Sequence, residues 1–183
     1  NLSLAELANL QDGFGQIVIG GANSSNSIRI GELGGPAASV ILYDNLVLNS
    51  PMLGGEILIN QNLSIQGGAL TIHGSGNTTT LSANSSTSDN TVINDSVLVN
   101  GTVLVAAGTD GTGSVQMTTL SSQTLDGNGD ITADHLTLTA AGTVSVFGVV
   151  GSIDPLESLT IRGTLNGAGP ATYDVTNVTF FNE

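Results

Sequence analysis

Short apolar-x-apolar triplets return along this chain between Gly- and Asn-rich turns. They run Ile17-Val18-Ile19, Ile28-Arg29-Ile30, Ile57-Leu58-Ile59, Leu63-Ser64-Ile65 and Leu70-Thr71-Ile72 in the first half. Val97-Leu98-Val99, Leu136-Thr137-Leu138, Val144-Ser145-Val146 and Leu159-Thr160-Ile161 follow in the second. Alternation over three to five residues turns one side of a strand to a core and the other to solvent. A helical period is almost absent, and recurrence at such short intervals predicts an all-β stack of short strands. Segments 56–72 and 130–146 each hold three such strands separated by Asn, Asp or Gly. Three strands and three corners per turn describe a parallel β-helix, or β-solenoid. At roughly 20–25 residues per coil the chain makes about seven coils, spaced by the ~4.8 Å between neighbouring strands. The alternative, an antiparallel β-sandwich, needs hairpin signals and longer strands at spacings of about 8–12 residues. These strands are mostly too short and the turns too irregular for it.

One helix is expected, at the start. Ser3 and Glu6 form a capping box, Leu4, Leu7 and Leu10 share a face, and Asp12-Gly13 ends the pattern. Residues 1–14 are therefore expected to cap the strand stack or link it to another module, with the β-helix module over 15–183. The helical pattern is already under way at Asn1, so an excised part of a longer protein is expected. The polar tract 74–90 and the run 108–114 are expected to leave the stack as exposed loops. At the other end Val178, Phe180 and Phe181 form an apolar finish with no stop signal. With Leu4, Leu7 and Leu10 they are the candidate end-to-end contacts, because an uncapped strand edge templates another strand.

Composition narrows the function. The chain has no Lys, two Arg (Arg29 and Arg162) and 15 acidic residues, for a formal net charge of −13. A surface so poor in cations cannot neutralise phosphates, which excludes nucleic acid as a partner and disfavours an anionic membrane face. No apolar stretch is long enough to span a bilayer, and no signal peptide is visible. With aromatics at 3% and no Trp, Val, Ile, Leu and Ala must fill the core. There is no Cys, so no disulfide framework exists.

Candidate chemistry is sparse. Residues 126–132 resemble the middle of an EF-hand loop, making Asp126, Asn128 and Asp130 a candidate calcium turn. Thr124 and His135 occupy the first and closing ligand positions, so two carboxylates are missing, and a Gly-Asn corner between coils is the preferred reading. No other cofactor is expected. Asn-x-Ser/Thr occurs at Asn1, Asn23, Asn62, Asn77, Asn84, Asn94, Asn100 and Asn177. Asn77 and Asn84, in the polar tract, are the candidate glycosylation sites. The Gly-rich run 108–114 lacks the Lys of a P-loop, and Gly13-Phe14-Gly15 follows a helix instead of a strand. His73 and His135 show no ligand spacing. A polysaccharide lyase needs cations where only Arg29 and Arg162 exist, and a hydrolase needs paired carboxylates. Asp89, Asp95, Asp126, Asp130 and Asp134 could supply a pair only through stacking. No Thr-x-Thr recurs in step with the coils, as an ice-binding face would require.

The phrases spanning 4–20, 129–144 and 149–161 resemble the repeated modules of very large bacterial surface proteins of the filamentous-haemagglutinin-like type. The resemblance covers most of the chain, although the lack of Lys and the many sequons depart from it. It implies a right-handed parallel β-helix, export to the cell surface, and adhesive or fibre-forming roles, with no catalytic residues. The expected protein is thus not an enzyme but an extracellular structural module of an adhesin or surface filament. Its expected partners are copies of itself, head-to-tail or covalently joined, and a host or environmental surface or glycan. A carbohydrate-binding or polysaccharide-processing β-helix is the alternative, favoured by a groove lined with Tyr43, Tyr173 or acidic pairs.

Overall fold

The computed structural model describes residues 6, 9, 10, 12–32, 39–165 and 178–181. Most of the helix expected over 1–14, Leu4 and Leu7 included, lies outside them, as does Tyr173. The elements are β1 (Gln16–Gly20), β2 (Ser27–Ile30), β3 (Val40–Leu42), β4 (Asn45–Asn49), β5 (Glu56–Ile59), β6 (Leu63–Ile65), β7 (Leu70–Leu81) and β8 (Ser85–Thr87). They continue as β9 (Thr91–Val99), β10 (Thr102–Ala107), β11 (Val115–Met117), β12 (Thr124–Gly127), β13 (His135–Val146), β14 (Val149–Val150), β15 (Ser158–Leu165) and β16 (Val178–Phe181). All belong to one curled sheet of 16 strands.

Every strand pairing is parallel, which leaves no footing for an antiparallel sandwich among the described residues. The pairings sort into three stacks. The first runs β1, β4, the start of β7, the start of β9, β11 and the end of β13. The second runs β2, β5, the end of β7, the end of β9, β12 and β14. The third runs β3, β6, β8, β10, the start of β13, β15 and β16. The chain visits the stacks in that order, coil after coil, in a β-helix-like parallel architecture. Strands β7 and β13 turn a corner without ending, with register shifts between His73 and Thr78 and between Thr139 and Thr143.

All nine triplets fall within strands, and apart from half-buried Ile19 their first and third residues are buried. Stacking in register turns them into files: Ile19, Leu48, Ile72, Ile93, Met117 and Val146 form one, each paired to the next. Each buried Val, Leu or Ile contributes about 1.5–3 kcal/mol relative to exposure, which is how so narrow a core holds without aromatics.

The expectation of an exposed loop over 74–90 is corrected. These residues build the wall of the third coil, within β7 and β8, and Thr79, Ser85, Thr87 and Ser88 are buried. Thr favours strands through its branched Cβ, and its hydroxyl can face inward when a partner waits there. Thr79 donates to the buried Asp95 carboxylate at 2.9 Å, and the Thr87 and Thr91 hydroxyls lie 3.1 Å apart. Gly74 is required beside them, since a Cβ there would lie 1.9 Å from Asp95 Oδ2. Residues 108–114 do form a turn between strands.

Coil length is uneven. Thr78 pairs with Ser96, 18 residues on, whereas Thr102 pairs with His135, 33 residues on. The longest coil carries its surplus at three corners, over 108–114, 118–123 and 128–134.

Candidate functional site

The corner at 128–134 leads from β12 in the second stack to β13 in the third. With the turn 151–157 of the next coil it encloses an open depression of about 320 Å³. Four carboxylates line it, Asp130, Asp134, Asp154 and Glu157, together with Ile131 and Pro155. Ile131 is fully exposed, and Ile153, beside Asp154, is 73% exposed.

Asp134 organises the corner. Its carboxylate is buried and accepts the N–H of Gly101 at 2.6 Å and that of Asn128 at 2.8 Å. Its main-chain carbonyl accepts from Glu157 at 2.9 Å. One residue thus joins three consecutive coils. Asp130 lies outside, accepting from the Thr132 hydroxyl, from Thr132 N at 2.6 Å and from Asn128 Nδ2 at 2.8 Å. The Thr132 hydroxyl, then the Thr132 N–H and the Asn128 amide, stabilise its charged form and hold its pKa below the ordinary aspartate value.

The three residues of the candidate calcium turn are not assembled into one ligand set. Asp126 is fully buried, accepting Ile153 N at 3.1 Å with the Ser152 hydroxyl at 3.5 Å, while Asn128 and Asp130 bond to one another in the exposed turn. Among the described residues no group of three or more His, Cys, Asp or Glu could hold a metal ion. Asp95 is likewise committed inside, to Thr79 and to Ser96 N at 2.9 Å.

The two candidate glycosylation asparagines hold corners in place. Asn77 Nδ2 is half-buried and donates toward the carbonyls of Ser50, Met52 and Gly74 at 2.9, 2.7 and 3.1 Å. Exposed Asn84 lies between Asn62 and Leu104: its N–H donates to Asn62 Oδ1 at 3.1 Å, and its Oδ1 accepts Leu104 N at 2.8 Å. Asn45 and Asn90 bridge coils in the same way, to Ala69 N and Ser114 N. His73 stacks between Asn49 and Asn94, and His135 Nδ1 lies 2.8 Å from the Ser158 hydroxyl. Arg29 and Arg162 belong to different stacks at opposite ends of the coil series. Of the proposed end contacts, Leu10 packs against the core, and β16 places Val178 beside Leu159 and Phe180 beside Ile161 in register.

Sequence reasoning missed the corner network, whose signal was the recurrence of Asn one position before a strand at Asn62, Asn84 and Asn90. It also missed Thr118, a buried residue at φ 50°. A β-branched side chain is strained there. Its hydroxyl holds the corner by donating to Met117 O at 2.7 Å and accepting Gly148 N at 2.9 Å.

Comparison with family models, curated proteins and solved structures finds no match for this chain.

Proposed function

We propose that this chain is a structural module of an extracellular adhesin or cell-surface filament, built as a right-handed parallel β-helix of the filamentous-haemagglutinin-like type. Its work is mechanical: stacked coils carry load along their axis through backbone ladders and aliphatic files, and corner loops present contact surface. The observation that carries this reading is the unbroken parallel register of the three stacks, in which each coil is a template for the next.

Coil-to-coil continuation is supported at the first coil. Strands β1, β2 and β3 are paired on one side only among the described residues. Phe14, Val18, Ile41 and Tyr43 are exposed on that same coil. Unpaired edges beside apolar side chains favour joining a further coil, whether of another copy or of a covalently linked module. The buried carboxylates of Asp95, Asp126 and Asp134 are satisfied by structural bonds, which fits a scaffold better than a catalyst.

Electron microscopy of the purified protein, at low and millimolar calcium, tests this. Rods or fibres with a regular axial repeat are expected. Dispersed compact particles in both conditions would refute self-assembly and leave a monomeric binder. The second reading, a carbohydrate-binding or polysaccharide-processing β-helix, draws on the carboxylate-lined depression. Glycan-array binding that is lost in Asp154→Ala would favour it.

A further inference from the structure

We propose that Asn128-Gly129 is a self-acting modification site, at which the folded corner promotes deamidation of Asn128, whereas the chemically identical pair Asn100-Gly101 is guarded. Asn-Gly occurs at 100–101, 128–129 and 166–167, the last outside the described residues. In the reaction the main-chain nitrogen of Gly129 attacks Cγ of Asn128. A new C–N bond closes a five-membered succinimide, the Cγ–Nδ2 bond breaks, and the proton lost from Gly129 N ends on the departing ammonia. Water then opens the ring at either carbonyl, leaving aspartate or isoaspartate. No enzyme, oxidant or reductant is needed, and the absence of a Cβ on glycine leaves the attacking nitrogen open.

The two pairs differ in what holds them. The N–H of Gly101, the group that must be deprotonated and move, donates at 2.6 Å to the buried Asp134 carboxylate. Both asparagines are fixed at their own N–H, Asn100 to Leu81 O at 2.9 Å and Asn128 to Asp134 Oδ2 at 2.8 Å, so the difference lies at the glycine. Both glycines have positive φ, +81° at Gly101 and +73° at Gly129, but Gly129 is exposed and its N–H has no hydrogen bond among the described residues.

The Asn128 amide is also set up for attack. Its Oδ1 accepts the N–H of Asp130 at 3.1 Å, so a donor already faces the oxygen on which negative charge develops. Its Nδ2, the leaving group, donates to Asp130 Oδ2 at 2.8 Å, which fixes the orientation of the amide. The proton that nitrogen needs to depart as ammonia is the one lost from Gly129 N, passed through solvent at this exposed turn. The product changes the corner. A new carboxylate stands beside Asp130 and next to the four already lining the depression. A hydrogen bond is replaced by like-charge repulsion, and isoaspartate adds a methylene to the main chain between 128 and 129.

The test is a time course of the intact folded protein at mildly alkaline pH, followed by peptide mapping that separates aspartate from isoaspartate. A parallel incubation in denaturant removes the fold. Conversion at Asn128 is expected to exceed that at Asn100 on the order of tenfold or more in the folded protein, the least that one preorganised donor and one released N–H supply. In denaturant the two positions are expected to convert alike. Asn128→Gln should lower the ammonia released by the folded protein and abolish the converted species in the peptide that carries position 128. Persistence of Asn128 while folded, or equal conversion at both positions while folded, would overturn the proposal.

Discussion

Removing the Asp134 carboxylate tests whether one buried acid joins three coils. Its two oxygens accept from Gly101 N at 2.6 Å and Asn128 N at 2.8 Å, and the residue is 5% exposed. A hydrogen bond to a charged group contributes about 1.5–3 kcal/mol, and a buried donor left alone costs its desolvation as well. Both donors lie at a partly wet corner, so the lower end applies to each. Asp134→Ala should therefore destabilise by about 3 kcal/mol. Asp134→Asn keeps one acceptor and turns an N–H toward the other donor, so it should cost about half as much or slightly more. Urea unfolding followed by far-UV circular dichroism measures the total. Because coils can open independently, hydrogen exchange at the Gly101 and Asn128 amides is read alongside. Faster exchange at both amides is expected even where the unfolding midpoint moves little. The freed Gly101 N–H should also let Asn100 deamidate faster than in the parent, though still more slowly than Asn128, whose Oδ1 keeps its Asp130 donor. An alanine variant within about 0.5 kcal/mol of the parent, with both amides still protected, would refute the assignment.

Other perturbations probe separate layers. Ile72→Ala opens a hole in a fully buried file between Leu48 and Ile93, and should cost about 2–5 kcal/mol by calorimetry or urea. Gly74→Ala would force a Cβ to 1.9 Å from Asp95 Oδ2. A loss of about 1–3 kcal/mol is expected, and parental stability would mean that the Asp95 carboxylate points elsewhere. Asp130, held below the ordinary aspartate pKa by its Thr132 and Asn128 contacts, favours the fold at pH above the unfolded value. That contribution disappears as pH falls through the lower, folded value. A carboxylate NMR titration should find Asp130 among the last acids to protonate, with Thr132→Ala moving its midpoint upward. An unmoved midpoint would discard the Thr132 contact as the cause.

Period-2 alternation made the strands legible because both ends of each triplet had to be buried, whatever the surrounding loops did. The same rule hid residues 74–90. Reading Thr and Ser as solvent-facing is sound for a strand that stands alone. Here Thr79, Thr87, Thr91 and Asp95 partner one another or the backbone inside the stack, which no count along the chain can display. The corner was half legible. Asp126-Gly127-Asn128-Gly129-Asp130 announces a turn, but Asp126 follows Leu98 in strand register and is covered by the turn at 151–153. That placement depends on residues some 26 positions downstream. Asp134 carried no motif at all: Asn128 lies six positions before it in the same corner, but Gly101 and Glu157 meet it only once the neighbouring coils have stacked.

Where a stack of coils keeps its loops also says where it can act. Each coil touches only its neighbours, so a surplus at one corner need not disturb pairing elsewhere. The middle of this stack has no surplus: between β7 and β9 the rungs are as little as 18 residues apart, and the interior there includes hydroxyls. The fifth coil is the reverse, with all three corners extended between β10 and β13. Its 128–134 corner is where the exposed Ile131, the carboxylate-lined depression and the proposed deamidation site at Asn128 coincide. A filament built of such modules would bear load through the tight coils and meet its surroundings at the loose one. Trimming that corner should therefore alter binding, while the axial repeat and the stability of the first four coils stay as they are.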